Sequence, residues 1–106
     1  MDSRVKFVGF IDGYGCTIKL ESNYKENIIE FVYSHVSPEY IVEKEMDVLR
    51  GDVIAYGGPK YINLNGNIIL NGNTTGPHLH FEIKINNLNV NPIIFLNKLE
   101  NEVFQN

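Results

Sequence analysis

Two histidines lie one residue apart in the segment TGPHLHFEI, which spans residues 75–83. The residues LHFEIKI have the alternating pattern of a β-strand, and a strand places every second side chain on the same face. His78, His80 and Glu82 would therefore share one face. The opposite face would carry the apolar side chains of Leu79, Phe81, Ile83 and Ile85. The pattern predicts a row of ionisable groups on one side of a strand and part of a core on the other.

This row could serve a metal ion, because imidazole nitrogen is a good zinc ligand. Three successive same-face positions span about 13 Å, so only adjacent residues of the row can bind one ion. The spacing alone leaves a structural histidine pair and a metal or catalytic site both open. The third histidine, His35, ends another predicted strand. The one cysteine, Cys16, cannot form an intrachain disulfide and is interpreted as a small buried apolar residue on a strand.

Composition limits the class of protein. A chain of 106 residues, 43% of them hydrophobic and 21% charged, is predicted to form one domain, 1–106, with a single core. Its net charge of −4 and dispersed basic residues argue against nucleic acid as the main partner. No apolar run reaches the ~20 residues of a membrane span, and the first residues do not resemble a signal peptide.

The elements that must position the histidines are short β-type runs separated by glycine and asparagine. Strands are predicted in RVKFVGFI, GCTIKL, NIIEFVYSHV, DVIAYG, YINL, NIIL and LHFEIKI. Asn65-Gly66 matches a two-residue type I′ hairpin, and Asn86-Asn87 is a second candidate tight turn. The segment between residues 43 and 50 could be a helical turn or a loop. These patterns predict a mainly β, antiparallel domain.

A helix is predicted at the end of the chain, over residues 92–104. Asn91 is placed at its N-cap and Pro92 at its first position, where both residue types are favoured. The expected apolar stripe is formed by Ile93, Leu96, Leu99 and Val103.

The chain resembles the lysostaphin-type (LytM-like) zinc endopeptidases, which cut peptide cross-links in bacterial cell walls. The segments that carry the resemblance, in the family's order, are GYGCTIKL, VYSHVS, VLRGDVIAYGG, NTTGPHLHFEI and LNVNPIIFL. They cover the chain from about residue 7 to residue 96. The resemblance implies the family's fold, an open, barrel-like antiparallel sandwich built on a duplicated hybrid motif, with a short C-terminal helix.

The resemblance also implies roles for the three histidines. His80 matches a direct zinc ligand. His78 and His35 match the two catalytic imidazoles beside the metal, which act as general base and as stabilisers of the oxyanion. Gly76 and Pro77 match the turn that aims the histidine strand. The family is usually extracytoplasmic, although this sequence alone leaves the location open.

One part of the family's site has no counterpart in these residues. The other two zinc ligands belong to a His-x-x-x-Asp motif upstream of the first matching strand, and no histidine precedes His35. Asp2 and Asp12 are the aspartates before that point, and neither is placed to replace the motif. One ligand predicts weak or no zinc binding, although a site made of all three histidines is conceivable.

Two main functions follow from this pattern. The first is a non-catalytic domain that binds a cell-wall peptide or protein partner in the groove beside the histidines. The second is a zinc metalloendopeptidase, present here as a fragment or completed by another chain. Phosphotransfer, as in sugar-phosphotransferase IIA domains, is a weaker alternative, because nothing here resembles the phosphohistidine segment. A β domain with a structural histidine pair is another weaker alternative.

Two further expectations concern surfaces. The residues PKYINLNGNIIL, 59–70, form an insertion relative to the family and predict a hairpin near the rim of the groove. A sheet that lacks the upstream strand would leave an open edge, which invites a partner chain or a second copy.

Overall fold

The computed structural model describes residues 2–72, 80–96 and 98. In chain order, the strands are β1 (Ser3–Ile11), β2 (Gly15–Tyr24), β3 (Asn27–Ser34), β4 (Asp47–Val48), β5 (Tyr61–Leu64), β6 (Asn67–Leu70), β7 (His80–Ile85) and β8 (Leu88–Val90). Six of them form one antiparallel sheet in the order β4-β1-β2-β3-β7-β8. β5 and β6 form a separate two-stranded hairpin. The prediction of a mainly β, antiparallel fold is confirmed, and the sheet is open because β4 and β8 lie at different edges.

Tight turns join the long strands. Asn65 and Gly66 have φ values of 51° and 87°, and Asn86 and Asn87 have values of 49° and 70°. Both predicted turns therefore adopt the left-handed conformation that a type I′ hairpin needs at its two central residues. The β2–β3 turn does the same at residues 25–26, Lys-Glu, a pair with no such preference in the sequence.

The core lies on one face of the six-stranded sheet. Buried side chains of this face include Ile18 on β2, Ile29 and Phe31 on β3, and Ile83 on β7. The strand register aligns Leu20, Phe31 and Ile83 directly across the three central strands, and Ile18 and Ile29 lie on the same face, each two residues along its strand. The alternation predicted for β7 is confirmed over its described residues, because His80 and Glu82 lie on the face away from this core.

One prediction about the middle of the chain is corrected. The segment DVIAYG, 52–57, is not a strand: one bridge between Gly57 and Val36 is its pairing in the described part of the sheet. Val53 and Tyr56 are exposed, so this segment lacks the buried face that would hold it in a ladder. The undecided stretch before it contains β4, two residues that pair with Ser3 and Arg4.

A short helix, α1, covers residues 92–96, and residue 98 is also helical. The side-chain Oδ1 of Asn91 accepts hydrogen bonds from the backbone N–H groups of Ile93 (2.9 Å) and Ile94 (3.2 Å), which confirms the predicted N-cap. The predicted apolar stripe is wrong at Ile93 and Leu96, which are exposed, because Phe95 is the residue that packs on the core. Residues 97 and 99–106, with Leu99 and Val103, lie outside the described part.

No helix among the described residues is long and apolar enough to cross a membrane. The assignment of residues 1–106 to one domain stays a prediction.

Candidate functional site

The ends of β3 and β7 bring two of the three histidines together. Ser34, the last residue of β3, pairs with His80, the first of β7. His35 directly follows and was predicted to continue the strand, but its φ of 58° turns the chain out of the ladder. Its backbone N–H donates to the carbonyl of Tyr14 at 3.1 Å. The turned imidazole is 5% exposed and lies edge-on to the His80 ring, with centroids 6.0 Å apart.

A buried carbonyl selects the protonated nitrogen of His35. Its Nδ1 lies 2.6 Å from the backbone oxygen of Asn71. A carbonyl oxygen can only accept, so this contact requires a proton on Nδ1. In the neutral ring, Nε2 then carries the lone pair and can act as a base or an acceptor.

His80 is held in the opposite way. Its Nε2 lies 3.0 Å from Oε1 of Glu82, the next same-face residue of β7. An ionised carboxylate only accepts, so Nε2 carries the proton and Nδ1 of the neutral ring carries the lone pair. The His80 side chain is 46% exposed, and the Tyr14 ring packs edge-on to it with centroids 6.5 Å apart. The two imidazoles therefore differ in tautomer and in access to solvent.

Asn71 is a site residue that the sequence analysis missed. It is fully buried, immediately after β6, and its side chain makes three hydrogen bonds to backbone groups. Oδ1 accepts from the N–H of Cys16 at 2.7 Å, and Nδ2 donates to the carbonyls of Val36 (3.0 Å) and Pro59 (3.2 Å). A buried asparagine after a hairpin has no periodic signature. The Asn71-Gly72 pair, a combination typical of tight turns, was the signal available in the sequence.

Two oxygens near His80 have no hydrogen-bond partner among the described residues. They are Oγ of Ser34 and Oε2 of Glu82, and both are buried. Buried polar groups are normally satisfied, so these atoms mark unmet hydrogen-bonding capacity around the exposed imidazole.

Comparison with known proteins decides the family. Residues 1–92 match the model of Peptidase family M23. The chain belongs to this family. The resemblance to lysostaphin-type peptidases inferred from the motifs is thereby confirmed. Two curated relatives are DD-carboxypeptidase/endopeptidase Mpg of Neisseria meningitidis serogroup B, 33% identical over 92 residues, and that of Neisseria gonorrhoeae, 32% identical. Each alignment covers 87% of this chain and 18% of the relative, so this M23 domain corresponds to a small part of those proteins.

A solved structure of LytU has the same fold. It superposes with a TM-score of 0.68 over 92% of this chain and 61% of the LytU chain, at 22% sequence identity. At that identity the likeness supports the open antiparallel fold of this M23 domain.

The fit of a metal ion to the site depends on the donors available. Residues 2–72, 80–96 and 98 contain no group of three or more His, Cys, Asp or Glu side chains placed to hold a metal. His78, with Gly76 and Pro77, lies outside these residues, so its predicted catalytic role and the three-histidine site stay predictions. The described donors do not by themselves make a three-ligand zinc site.

Cys16 lies behind the site and not in it. The residue is 2% exposed on β2, which confirms its interpretation as a buried strand residue. Burial raises the pKa of its thiol, and a hydrogen bond with Tyr40 opposes that rise. A thiol held in its protonated form is a poor nucleophile, so Cys16 takes no chemical role here.

A cavity of about 510 Å³ lies on the other face of the sheet. Core-face residues Leu20, Phe31 and Phe81 line it, together with the segment 48–57. Because His80 points to the opposite face, this cavity is separate from the pair of histidines.

Proposed function

We propose that this M23 domain binds a peptide of the bacterial cell wall beside His35 and His80, and that the 106-residue chain does not cleave it alone. The observation that carries the proposal is the number of zinc-ligating side chains that the chain contains. Of the three zinc-ligand positions implied by the family resemblance, these residues provide one, His80, and one imidazole is too few to hold a catalytic zinc ion.

The geometry of the histidines supports binding. His80 keeps Nδ1 as an acceptor at a half-exposed strand end, because its Nε2 is engaged by the carboxylate of Glu82. An exposed acceptor at the end of a strand suits an N–H group of an extended peptide.

A binding experiment tests the first half of the proposal. Wild-type protein is titrated with soluble cell-wall peptide fragments, and amide chemical shifts are followed by NMR. We expect the shifts to centre on the ends of β3 and β7, and His80→Gln to weaken binding about tenfold, the effect of one or two lost hydrogen bonds. Asn89→Gln, at an exposed position on β8, is the matched control and should bind as wild type. Shifts confined to the opposite face would contradict the proposal.

A cleavage assay tests the second half. The purified chain is supplied with zinc, its metal content is measured, and cross-linked cell-wall peptides are analysed for new amino termini. We expect less than stoichiometric zinc and no cleavage. Stoichiometric zinc together with amide-bond cleavage, both lost in His80→Gln, would refute a purely binding role.

A second candidate is a zinc metalloendopeptidase whose remaining ligands come from a longer or separate chain. The Glu82–His80 contact favours it, because a histidine that donates to a carboxylate through one nitrogen is typical of metal ligands. When bound, zinc would polarise the scissile carbonyl and activate water. The test is to add the upstream His-x-x-x-Asp region of a relative in cis. Stoichiometric zinc that depends on His80 is the result expected for this candidate, and continued failure to bind zinc would exclude it.

Binding of a cell-wall peptide requires access to the wall. We therefore propose that the protein acts outside the cytoplasm, which fractionation of producing cells tests directly. Recovery in the cytoplasmic fraction alone would favour a protein partner over the wall.

A further inference from the structure

We propose that Asn71 is a positioning residue: it fixes the buried carbonyl that holds His35 as the Nδ1–H tautomer, and so aims the basic Nε2 at the site. The role of His35 in binding or catalysis rests on the proposed function. The assignment of the tautomer and of its cause rests on the contacts of Asn71.

The first step is the contact itself. His35 is buried, and its Nδ1 lies 2.6 Å from the carbonyl oxygen of Asn71, a short distance for an N–H···O hydrogen bond. In water an imidazole exchanges between two neutral tautomers. Beside a buried carbonyl, only the tautomer with a proton on Nδ1 makes a hydrogen bond, and the other would leave two acceptors facing each other.

The second step is the rigidity of that carbonyl. The side-chain amide of Asn71 uses its one acceptor on the N–H of Cys16 and its two donors on the carbonyls of Val36 and Pro59. The backbone N–H of Asn71 donates to the carbonyl of Lys60 at 2.8 Å. An amide is the side chain of this size that offers both an acceptor and two donors, so neither aspartate nor leucine can replace it.

The third step is the path of the chain after Asn71. Gly72 has a φ of 80°, and a Cβ there would lie 2.7 Å from Cε1 of His35 and 2.5 Å from the carbonyl carbon of Tyr14. The backbone can pass this close to the imidazole because residue 72 has no side chain. Asn71 and Gly72 together hold the chain against one edge of the His35 ring.

The fourth step concerns the inserted hairpin. Asn71 bonds to Pro59 and Lys60, which lead into the hairpin, and itself follows the last strand of it. Asn71 therefore closes the base of the hairpin and contacts His35 with its carbonyl. The 59–70 insertion, predicted from sequence as a hairpin near the rim of the groove, is connected through this residue to the buried imidazole.

The wild-type protein gives the primary test. Histidine side chains are labelled with ¹⁵N, and the shifts of Nδ1 and Nε2 of His35 are measured at alkaline pH without peptide or metal. We expect a protonated Nδ1 with slow exchange and an unprotonated Nε2. A dominant Nε2–H tautomer would overturn the proposal, whether or not any variant folds.

Variants test the cause. Asn71→Asp keeps the shape of the side chain and the acceptor for the N–H of Cys16, but it places an oxygen against the carbonyls of Val36 and Pro59. We expect this repulsion to shift the backbone at residue 71 and to lower the Nδ1–H to Nε2–H ratio of His35 about tenfold. The matched control is Asn63→Asp, in the same hairpin, where the exposed Oδ1 accepts from the N–H of Gly66 and lies apart from His35. It should leave the ratio unchanged.

The outcomes separate this inference from the proposed function. A folded Asn71→Asp protein with the wild-type tautomer ratio would show that Asn71 is structural only. If Asn71→Asp does not fold, its His35 tautomer ratio cannot be compared with that of wild type. The measurement on the wild-type protein then decides. The tautomer expected here, found in a protein that binds no cell-wall peptide, would refute the proposed function and leave the role of Asn71 intact.

Discussion

Left-handed glycines surround the buried side of the site, and one of them offers a sharp test of packing. Gly15 has a φ of 76°, and a Cβ there would lie 2.4 Å from both the backbone carbon and the carbonyl oxygen of Asn71. Gly66 has a similar φ of 87°, but nothing lies within 4 Å of its added Cβ. Both positions carry the same backbone strain for alanine, and only one carries the clash.

We therefore expect Gly66→Ala to lower the free energy of unfolding by about 1 kcal/mol, from the positive φ alone. Gly15→Ala should cost roughly 1–3 kcal/mol more, because the backbone of Asn71 must move away from the new methyl group. Urea unfolding followed by circular dichroism measures both. Equal losses in the two variants would mean that Asn71 is not packed against Gly15 as described.

At the same residue scale, the sequence could supply the identity of the histidines but not their orientation. The strand predicted over NIIEFVYSHV continues through His35, whereas the positive φ of His35 turns it towards Asn71, 36 residues along the chain. A hydrogen bond to a distant backbone carbonyl leaves no trace in local spacing. The pairing of His80 with Glu82 was within reach, because both belong to one strand face.

Among the elements, the terminal helix shows how burial can differ from the expected stripe. Phe95 is partly buried against the core, whereas Ile93 is 71% exposed. We expect Phe95→Ala to lower the free energy of unfolding by roughly 2 kcal/mol, from lost apolar burial. Ile93→Ala, the control on the same helix, should change it by less than about 0.5 kcal/mol. Chemical denaturation compares the two, and a larger loss at Ile93 would restore the stripe expected from sequence.

Elements with strong local signals were predictable, and elements fixed by distant contacts were not. Asn65-Gly66 specifies its own turn, because both residues tolerate φ > 0. Lys25-Glu26 adopts the same conformation without that preference, since the long β2–β3 ladder imposes it. The apolar run at 52–57 has the composition of a strand, but among the described residues it pairs with the rest of the chain through a single bridge. Apolar content alone therefore overestimated its pairing.

For the whole molecule, one buried and two partly buried ionisable groups predict loss of stability at alkaline pH. Burial raises the pKa of the Tyr33 and Tyr40 phenols above their ordinary 10.0, and that of the Cys16 thiol above 9.0. As pH rises, the unfolded chain releases these protons before the folded protein does. Above about pH 9 the unfolded state therefore binds fewer protons than the folded state, and the free energy of unfolding falls as pH rises.

Urea midpoints between pH 7 and pH 11 measure this dependence. We expect a flat profile below about pH 8.5 and a steady decline through pH 9 to 11. Tyr33→Phe should make the decline shallower, because it removes one of the groups. Tyr56→Phe, at an exposed position, is the control and should leave the slope as in wild type. A profile that stays flat to pH 11 would show that these side chains reach solvent.

The outer edge of β1 is the feature of the whole sheet that most invites a partner. β4 pairs with Ser3 and Arg4, and Val5 bonds to residues 45 and 46. Among the described residues, no strand pairs with residues 6–11 of this edge, which read KFVGFI and carry one charge, on Lys6. Natural sheets usually protect such edges with charged side chains, so we expect a second copy to pair here at high protein concentration.

A charge at this edge should prevent that association. Phe7 is half-buried and pairs across β1–β2 with Lys19, so a glutamate there would meet a lysine while placing a carboxylate at the edge. We expect Phe7→Glu to remain monomeric by sedimentation velocity at concentrations where wild type forms dimers. Ile28→Glu makes the same charge change at an exposed position on β3, away from the edge, and should still dimerise. If both variants lose the dimer, net charge rather than edge pairing controls association. If wild type stays monomeric throughout, the edge is protected by the twist of the sheet or by residues outside the described part.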